Sequence, residues 1–329
     1  MFHKVTVVTG IAKHSFGEAF LKEYLPANPQ YFVIGIDLVP NSDLTQYSNL
    51  IQIQHDLNPL GKNQGIRRRS ASLENKLAKA LKQHRLRRID ALIHGAGVYK
   101  SGGFLAHNTE ERNTVIGLNI LGTYETLHCV MRLNLRFGHD NSKDFSFVLI
   151  GSDQGLYAKP CRPLYAPSKA FGIDLCTGLI NGYEVDRCIY FAVGPMDTAM
   201  LHRNHWMDKV KGDKRLFETL LQGPTQTYQN VYKECCFQAL FNNKVAKKLY
   251  TSKQARLLLQ KYSKVRNDAD SDPRGILDPS FCAKILIKIV MNARSKSGVY
   301  GFWRRKRYGQ VKLRMKEFNQ FDRRKVLFY

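Results

Sequence analysis

The feature that most constrains this chain is an alternation of short apolar runs with helical patterns over its first 200 residues. The runs at Lys4–Thr9, Tyr31–Ile36, Leu50–Ile53, Ile89–Ile93, Phe145–Ile150 and Cys188–Val193 are rich in β-branched and aromatic side chains and read as strands. Between them, apolar spacing predicts helices over Phe16–Leu25, Leu73–Leu86, about 109–137, and Tyr165–Leu179. Pro26 and Pro29 are expected to stop the first, and Ser70 or Ser72 to cap the second. Strands that are apolar throughout must be covered on both faces, and helical crossovers supply the cover. The pattern therefore predicts an α/β fold: a doubly wound parallel sheet with helices on both faces.

After Gly194 the rhythm breaks. Residues 199–265 read as helical, with aromatics at Trp206, Phe217, Tyr228, Tyr232, Phe237 and Phe241, and Asn267–Gly275 reads as a polar loop. Asp278-Pro279 has the form of a helix start, Asp as N-cap and Pro at the first helical position, for a helix running to about Met291. Gly298–Trp303 fits a last strand. We expect a single domain over 1–303 followed by a basic C-terminal extension, 304–329.

The seven cysteines follow neither a disulfide framework nor a zinc spacing, and buried free thiols are expected. Cys235-Cys236 with His202 and His205 lacks the paired pattern of a metal site, so no metal is assigned. No stretch approaches the ~18 apolar residues of a spanning helix, and the strand-like N-terminus has no signal-peptide succession. A cytoplasmic protein is the expectation. The formal net charge of +24 bears on partners rather than on fold.

The first strand ends in Thr9-Gly10, and Gly17 stands at the start of the first helix. Such a turn brings backbone N–H groups toward a pyrophosphate at a helix N-terminus, and glycine permits the approach. The turn is poor in glycine, with His14, Ser15 and Phe16 filling it. Asp37 ends the second strand, about 20 residues further on, where a carboxylate accepts hydrogen bonds from a ribose 2′-hydroxyl and repels a 2′-phosphate. That favours NAD(H) over NADP(H), with Lys13 in the turn arguing the other way and an ordinary turn aspartate as the plain alternative.

Tyr165 and Lys169 lie four apart on one helical face. A tyrosine with pKa about 10 acts as an acid and base near neutrality only if that value is lowered by about 3, and an ammonium ~4 Å away supplies roughly that much. The spacing alone proves nothing, since Tyr308 and Lys312 repeat it. What distinguishes the first pair is context: Ser152 follows a buried strand, Asn119 lies upstream on a long helix, and the nucleotide elements precede both.

With these residues in view the chain resembles the short-chain dehydrogenase/reductase family. The resemblance rests on Thr9-Gly10 with Gly17, Asp37, Asp56-Leu57, His94-Gly-Ala-Gly97, Asn119-Ile-Leu-Gly122, Ser152, Tyr165 with Lys169, and Gly194-Pro-Met-Asp-Thr198. It covers residues 1–200 well and extends more loosely to about 303. It implies a Rossmann-like fold and an NAD(P)-dependent enzyme interconverting an alcohol and a carbonyl compound by hydride transfer. Tyr165 is then the proton donor or acceptor, Lys169 lowers its pKa and holds the nicotinamide ribose, Ser152 steadies the substrate oxygen, and Asn119 holds a relay water. Gly10, Ser15, Phe16, Gly17, Asp37, Leu38, Asp56, Leu57, Ala96, Gly97, Gly194, Met196 and Thr198 join Tyr165 and Lys169 around the cofactor. The chain departs from the family at Ser15, where glycine is typical, in a turn one residue longer than usual. It also departs at His94, usually asparagine, and at Val193, usually proline.

In this family the 199–265 region covers the substrate, so its aromatics suggest a helical lid over a bulky, apolar alcohol or ketone; the alternative is helix–helix core. The tail alternates Val311, Leu313 and Met315 with Lys312, Arg314 and Lys316 beside the Arg304–Arg307 cluster. It reads as a subunit-packing extension or as a contact with an anionic membrane surface, and nucleic acid is the least favoured partner. A homo-oligomer acting on a small-molecule alcohol or ketone is the expectation from the family. Two alternatives stand beside it: a non-catalytic dinucleotide sensor with a basic partner surface, and a peripheral membrane reductase of lipid or steroid type.

Overall fold

A computed structural model describes residues 4–61, 66–100, 107–156, 162–194, 196, 198, 200, 278–292, 295–304 and 311–316. The described elements are β1 (Lys4–Thr9), α1 (Phe16–Ala27), β2 (Tyr31–Asp37), β3 (Leu50–Gln54), α2 (Ile66–Gln83), β4 (Ala91–His94) and α3 (Thr109–Ile116). A π-helical turn (Gly117–Gly122) leads into α4 (Thr123–Arg136), followed by the short α5 (Asn141–Asp144) and β5 (Ser146–Ile150). Then come α6 (Tyr165–Asn181), β6 (Arg187–Val193), α7 (Pro279–Met291), β7 (Gly298–Arg304) and β8 (Val311–Lys316).

The strands form one sheet in the order β3-β2-β1-β4-β5-β6-β7-β8. The first seven are parallel and β8 pairs antiparallel with β7. The alternation at Val311, Leu313 and Met315 is thus realised as an edge strand of the main sheet. Period-2 side-chain placement sorts the apolar residues onto two faces. Val5, Val7, Phe32, Ile34, Leu92, Phe147, Leu149 and Tyr190 pack with Leu77 of α2, Leu127 and Val130 of α4 and Ile173 of α6. Val8, Val33, Ile93, Val148, Ile189 and Phe191 pack with Phe20 and Leu21 of α1 and Leu286 of α7. Both faces are covered, as the apolar runs require.

Two departures from the boundaries read in the sequence have a plain structural reason. α2 begins at Ile66, so Ser70 and Ser72 lie inside it and neither is its cap. The Ser70 hydroxyl instead donates to the Glu125 carboxylate of α4 at 2.6 Å, a tertiary bond that periodicity does not report. α1 runs through Pro26 to Ala27. A proline in the last turn removes one helical donor, and the chain closes by a tighter bond from the Asn28 amide to the Leu25 carbonyl at 3.2 Å. The reading of α7, from an Asp278 cap whose side chain accepts the Ser280 and Phe281 amides to Met291, is the observed one. The 199–265 helices and the 267–275 loop lie outside the described residues.

β1 and β4 are neighbours whose following segments leave in opposite directions, with Thr9 opposite His94. That divergence opens a crevice at the C-terminal ends of the central strands, the place where doubly wound sheets bind ligands.

Candidate active site

The dinucleotide end is built from backbone that only glycine tolerates. Gly10 has φ +77°, and a Cβ there would stand 2.6 Å from the Ala96 amide nitrogen. A Cβ on Gly17 would lie 2.3 Å from the Gly10 carbonyl oxygen. The longer turn is absorbed by His14, which takes the left-handed conformation at φ 61°. Ser15 is not a damaged glycine position: its hydroxyl accepts from the Glu18 amide at 3.0 Å as the N-cap of α1 and donates to the Gly10 carbonyl at 2.8 Å. Phe16 is buried against Phe191 of β6, ring centroids 6.3 Å apart.

Asp37 faces this turn. Its carboxylate accepts the Ala12 amide at 2.8 Å and the Leu38 amide at 2.7 Å. Lys13 points elsewhere, into an ion pair with Asp43 at 3.1 Å. Asp56 closes a local turn by accepting the Asn58 amide at 2.9 Å. Leu57 is buried, and its carbonyl lies where a Cβ on Gly122 would strike it at 2.5 Å. Beyond β6, Gly194 is buried, and the Thr198 amide donates to the Met196 carbonyl at 2.8 Å.

The four candidate catalytic side chains converge at the ends of β4 and β5. Asn119 sits in the π-helical turn, a distortion frequent at functional sites. Its carboxamide is held from both ends: Oδ1 accepts the Val98 amide at 2.8 Å, and Nδ2 donates to the Val98 carbonyl at 2.9 Å and to Ser168 Oγ at 3.0 Å. Ser168 in turn donates to the Tyr165 carbonyl at 2.7 Å, tying the turn to the start of α6. Ser152 leaves β5 with its hydroxyl donating to the Asp153 carboxylate at 3.0 Å and accepting the Gln154 amide at 3.2 Å. Lys169 Nζ stands 5.8 Å from the Tyr165 ring centroid and 3.4 Å from the Ile150 carbonyl. A Cβ on Gly97 would sit 3.2 Å from Lys169 Nζ and 3.3 Å from Asn119 Oδ1, so Gly97 marks a cradle that any other residue would fill.

His94 is completely buried, with Thr9 Oγ1 3.1 Å from Nδ1 and Thr123 Oγ1 3.1 Å from Nε2. The Thr123 hydroxyl donates its only proton to the Asn119 carbonyl at 2.9 Å, so we assign the Nε2–H tautomer, with Thr9 donating to Nδ1. A chain of bonds thus runs from the nucleotide turn through β4 to Asn119.

The charges are set by burial. Desolvation pushes the Tyr165 phenol well above its ordinary value, Asp153 pushing the same way, while the Ser152 hydrogen bond and the Arg162 charge pull it down. Lys169 is brought from 10.5 down to about 8 by desolvation. His94 is brought down to about 3, first by burial and then by the Lys169 charge. Tyr99 and Arg162, neither of which stood out in the sequence, lie against the cluster: Tyr99 is edge-on to Tyr165 at 4.8 Å, and the guanidinium of buried Arg162 is 5.2 Å from the Tyr99 ring centroid.

Among the described residues, no group of His, Cys, Asp and Glu is placed to hold a metal ion, and no helix is long and apolar enough to cross a membrane. Cys129, Cys176, Cys188 and Cys282 are buried free thiols. Cys235, Cys236, His202 and His205 lie outside the described residues.

The family model described as short chain dehydrogenase matches residues 4–208, more than half of the 329-residue chain. Two relatives from strains of Mycobacterium tuberculosis, each named an uncharacterized NAD-dependent oxidoreductase, are 34% identical over 82 residues, or 25% of this chain and 28% of theirs. The match therefore spans little more than a quarter of those curated relatives. Among solved structures, a short chain dehydrogenase family protein from Francisella tularensis is 19% identical, covers 91% of this chain and 96% of its own, and has a TM-score of 0.57. The ligand-free aldohexose dehydrogenase of Thermoplasma acidophilum is 16% identical over 87% of this chain and 86% of its own, with a TM-score of 0.55. At these identities the structures speak to the fold.

Proposed function

The chain belongs to the short-chain dehydrogenase family, and from that premise we propose that it is a nicotinamide-dependent oxidoreductase interconverting an alcohol and a ketone or aldehyde. The observation that carries this reading is the convergence of Asn119, Ser152, Tyr165 and Lys169 beside Gly97.

The β1–α1 turn, Asp37 and the Gly97 cradle fit a dinucleotide, whose nicotinamide supplies or accepts the hydride. The chain's own residues handle the proton. In reduction the Tyr165 hydroxyl gives its proton to the carbonyl oxygen that receives the new electron pair, and Ser152 holds that oxygen. Lys169, with its pKa near 8, carries a proton it can pass on close to neutrality and restores the phenol. The Asn119 carboxamide commits both amide protons to Val98 and Ser168, while Oδ1 keeps one lone pair beyond the Val98 amide. That Oδ1, beside the Gly97 cradle, is the group that holds a relay water.

NAD(H) is favoured over NADP(H). Asp37 presents its carboxylate to the turn, and the cation that would welcome a 2′-phosphate, Lys13, is paired with Asp43. The name of the mycobacterial relatives agrees. The substrate is a small molecule, and a homo-oligomeric working form is carried over from the family.

Titration with NADH and NADPH, followed by nicotinamide fluorescence, tests the reading. Wild type should bind NADH more tightly than NADPH, and Asp37→Ala should weaken NADH about tenfold or more through the lost ribose contacts. A carbonyl screen with Tyr165→Phe as the inactive control tests the chemistry. Binding of neither cofactor would refute the proposal.

A further inference from the structure

Tyr190 lies in the middle of β6 with no exposed surface, and it takes no part in the chemistry above. We propose that its hydroxyl is a positioning group that clamps the backbone of Ser152 to the backbone of Lys169, and so fixes the two side chains that flank Tyr165. This rests on the reading in which Ser152, Tyr165 and Lys169 carry the proton.

The bonds converge on one oxygen. The Ser152 amide donates to the Tyr190 hydroxyl at 3.1 Å, and the hydroxyl donates to the Lys169 carbonyl at 2.9 Å, with the Ser152 carbonyl as a longer second acceptor at 3.3 Å. The position matters because the β5–β6 ladder ends one residue earlier, with the Gly151 amide on the Phe191 carbonyl at 2.9 Å. From Ser152 onward β5 has left the sheet. Tyr190 meets the chain at that departure, and meets α6 at Lys169.

The surrounding sequence is cut to this ring. A Cβ on Gly151 would stand 2.1 Å from Tyr190 Cζ, one on Gly155 2.3 Å from its hydroxyl oxygen, and one on Gly172 3.1 Å from its Cε2. These glycines come from the end of β5, the turn after it and the middle of α6. Together they let three backbone segments close on one phenol. Packing alone would be met by a phenylalanine, so the hydroxyl is the part that needs a role. Burial holds its pKa far above the ordinary tyrosine value, so the bridge keeps its proton throughout the working pH range.

The test uses the full chain as wild type, Tyr190→Phe, and Tyr24→Phe as control. Tyr24 is buried on α1, so the control removes a buried hydroxyl away from the catalytic cluster. Amide hydrogen exchange reads the clamp directly: in Tyr190→Phe the Ser152 amide should exchange at least about tenfold faster, and in Tyr24→Phe it should not change. Turnover reads the consequence, with NADH and 2,3-butanedione as the carbonyl probe. Tyr190→Phe should lose about ten- to a hundredfold in kcat with KM and NADH affinity near wild type, because misplaced groups cost rate rather than binding. Unchanged exchange at Ser152, or equal kcat losses in the two variants, would overturn the proposal. A wild type that binds NADH and reduces neither this probe nor any other carbonyl screened would count against the reductase reading and the catalytic role together. Exchange at Ser152 would then decide whether the clamp exists.

Discussion

Replacing His94 by asparagine, the residue the family usually carries there, should change how stability responds to acid. His94 is fully buried between two threonine hydroxyls, and its pKa falls from 6.5 to about 3. The sign follows from proton counting. Between those values the unfolded chain binds a proton at this ring and the folded chain does not, so stability is complete above pH 6.5 and is lost as pH falls toward 3. The full difference corresponds to about 5 kcal/mol, of which roughly 2 kcal/mol is lost between pH 7.5 and pH 5. An asparagine offers a donor and an acceptor to the same threonines without titrating. Urea unfolding of both proteins at pH 7.5, 6 and 5 isolates the contribution, since all other groups cancel in the difference. The wild type should lose about 2 kcal/mol more than His94→Asn over that range. Parallel pH profiles would mean that the folded imidazole titrates near its normal value, and the neutral bridge from Thr9 to Thr123 would be refuted.

Lys169→Met should separate stability from activity. Its folded pKa lies near 8, below the usual 10.5, so the stability this group contributes is present only above 10.5 and is lost as pH falls through 8. At pH 7 the variant should therefore unfold about 2 kcal/mol less readily in urea, a figure reduced from the full shift because Lys169 keeps some solvent contact; its turnover should vanish, and a destabilised variant would contradict the burial argument. Gly97→Ala places a methyl 3.2 Å from Lys169 Nζ and 3.3 Å from Asn119 Oδ1. We expect about tenfold or greater loss of kcat with little change in Tm, read by initial rates and thermal unfolding; wild-type kcat would show that neither group needs its present position.

The strands were legible because their chemistry is local. Val7 and Val8 are apolar on successive positions because β1 is covered on both faces, and that constraint is printed in six residues. The start of α2 was not, because its first turn is Arg-rich and carries no cap signal, and Ser70 is explained only by Glu125 on another helix. The candidate site divides in the same way. Asn119, Ser152, Tyr165 and Lys169 could be named because their chemistry is specific and their order matches a family. What holds them could not. His94 and Ser15 are visible as departures from the family, yet each brings its own hydrogen bonds: Ser15 caps α1, and His94 bridges two threonines. Tyr190 gave no signal, since an aromatic at that position in a buried strand looks like core. Its meaning depends on Gly151, Gly155 and Gly172, which lie between 18 and 39 residues away along the chain and meet only around its ring. A catalytic group must carry a particular chemistry and so leaves a mark at one position. A supporting group needs only to fit its neighbours, and its mark is spread over all of them.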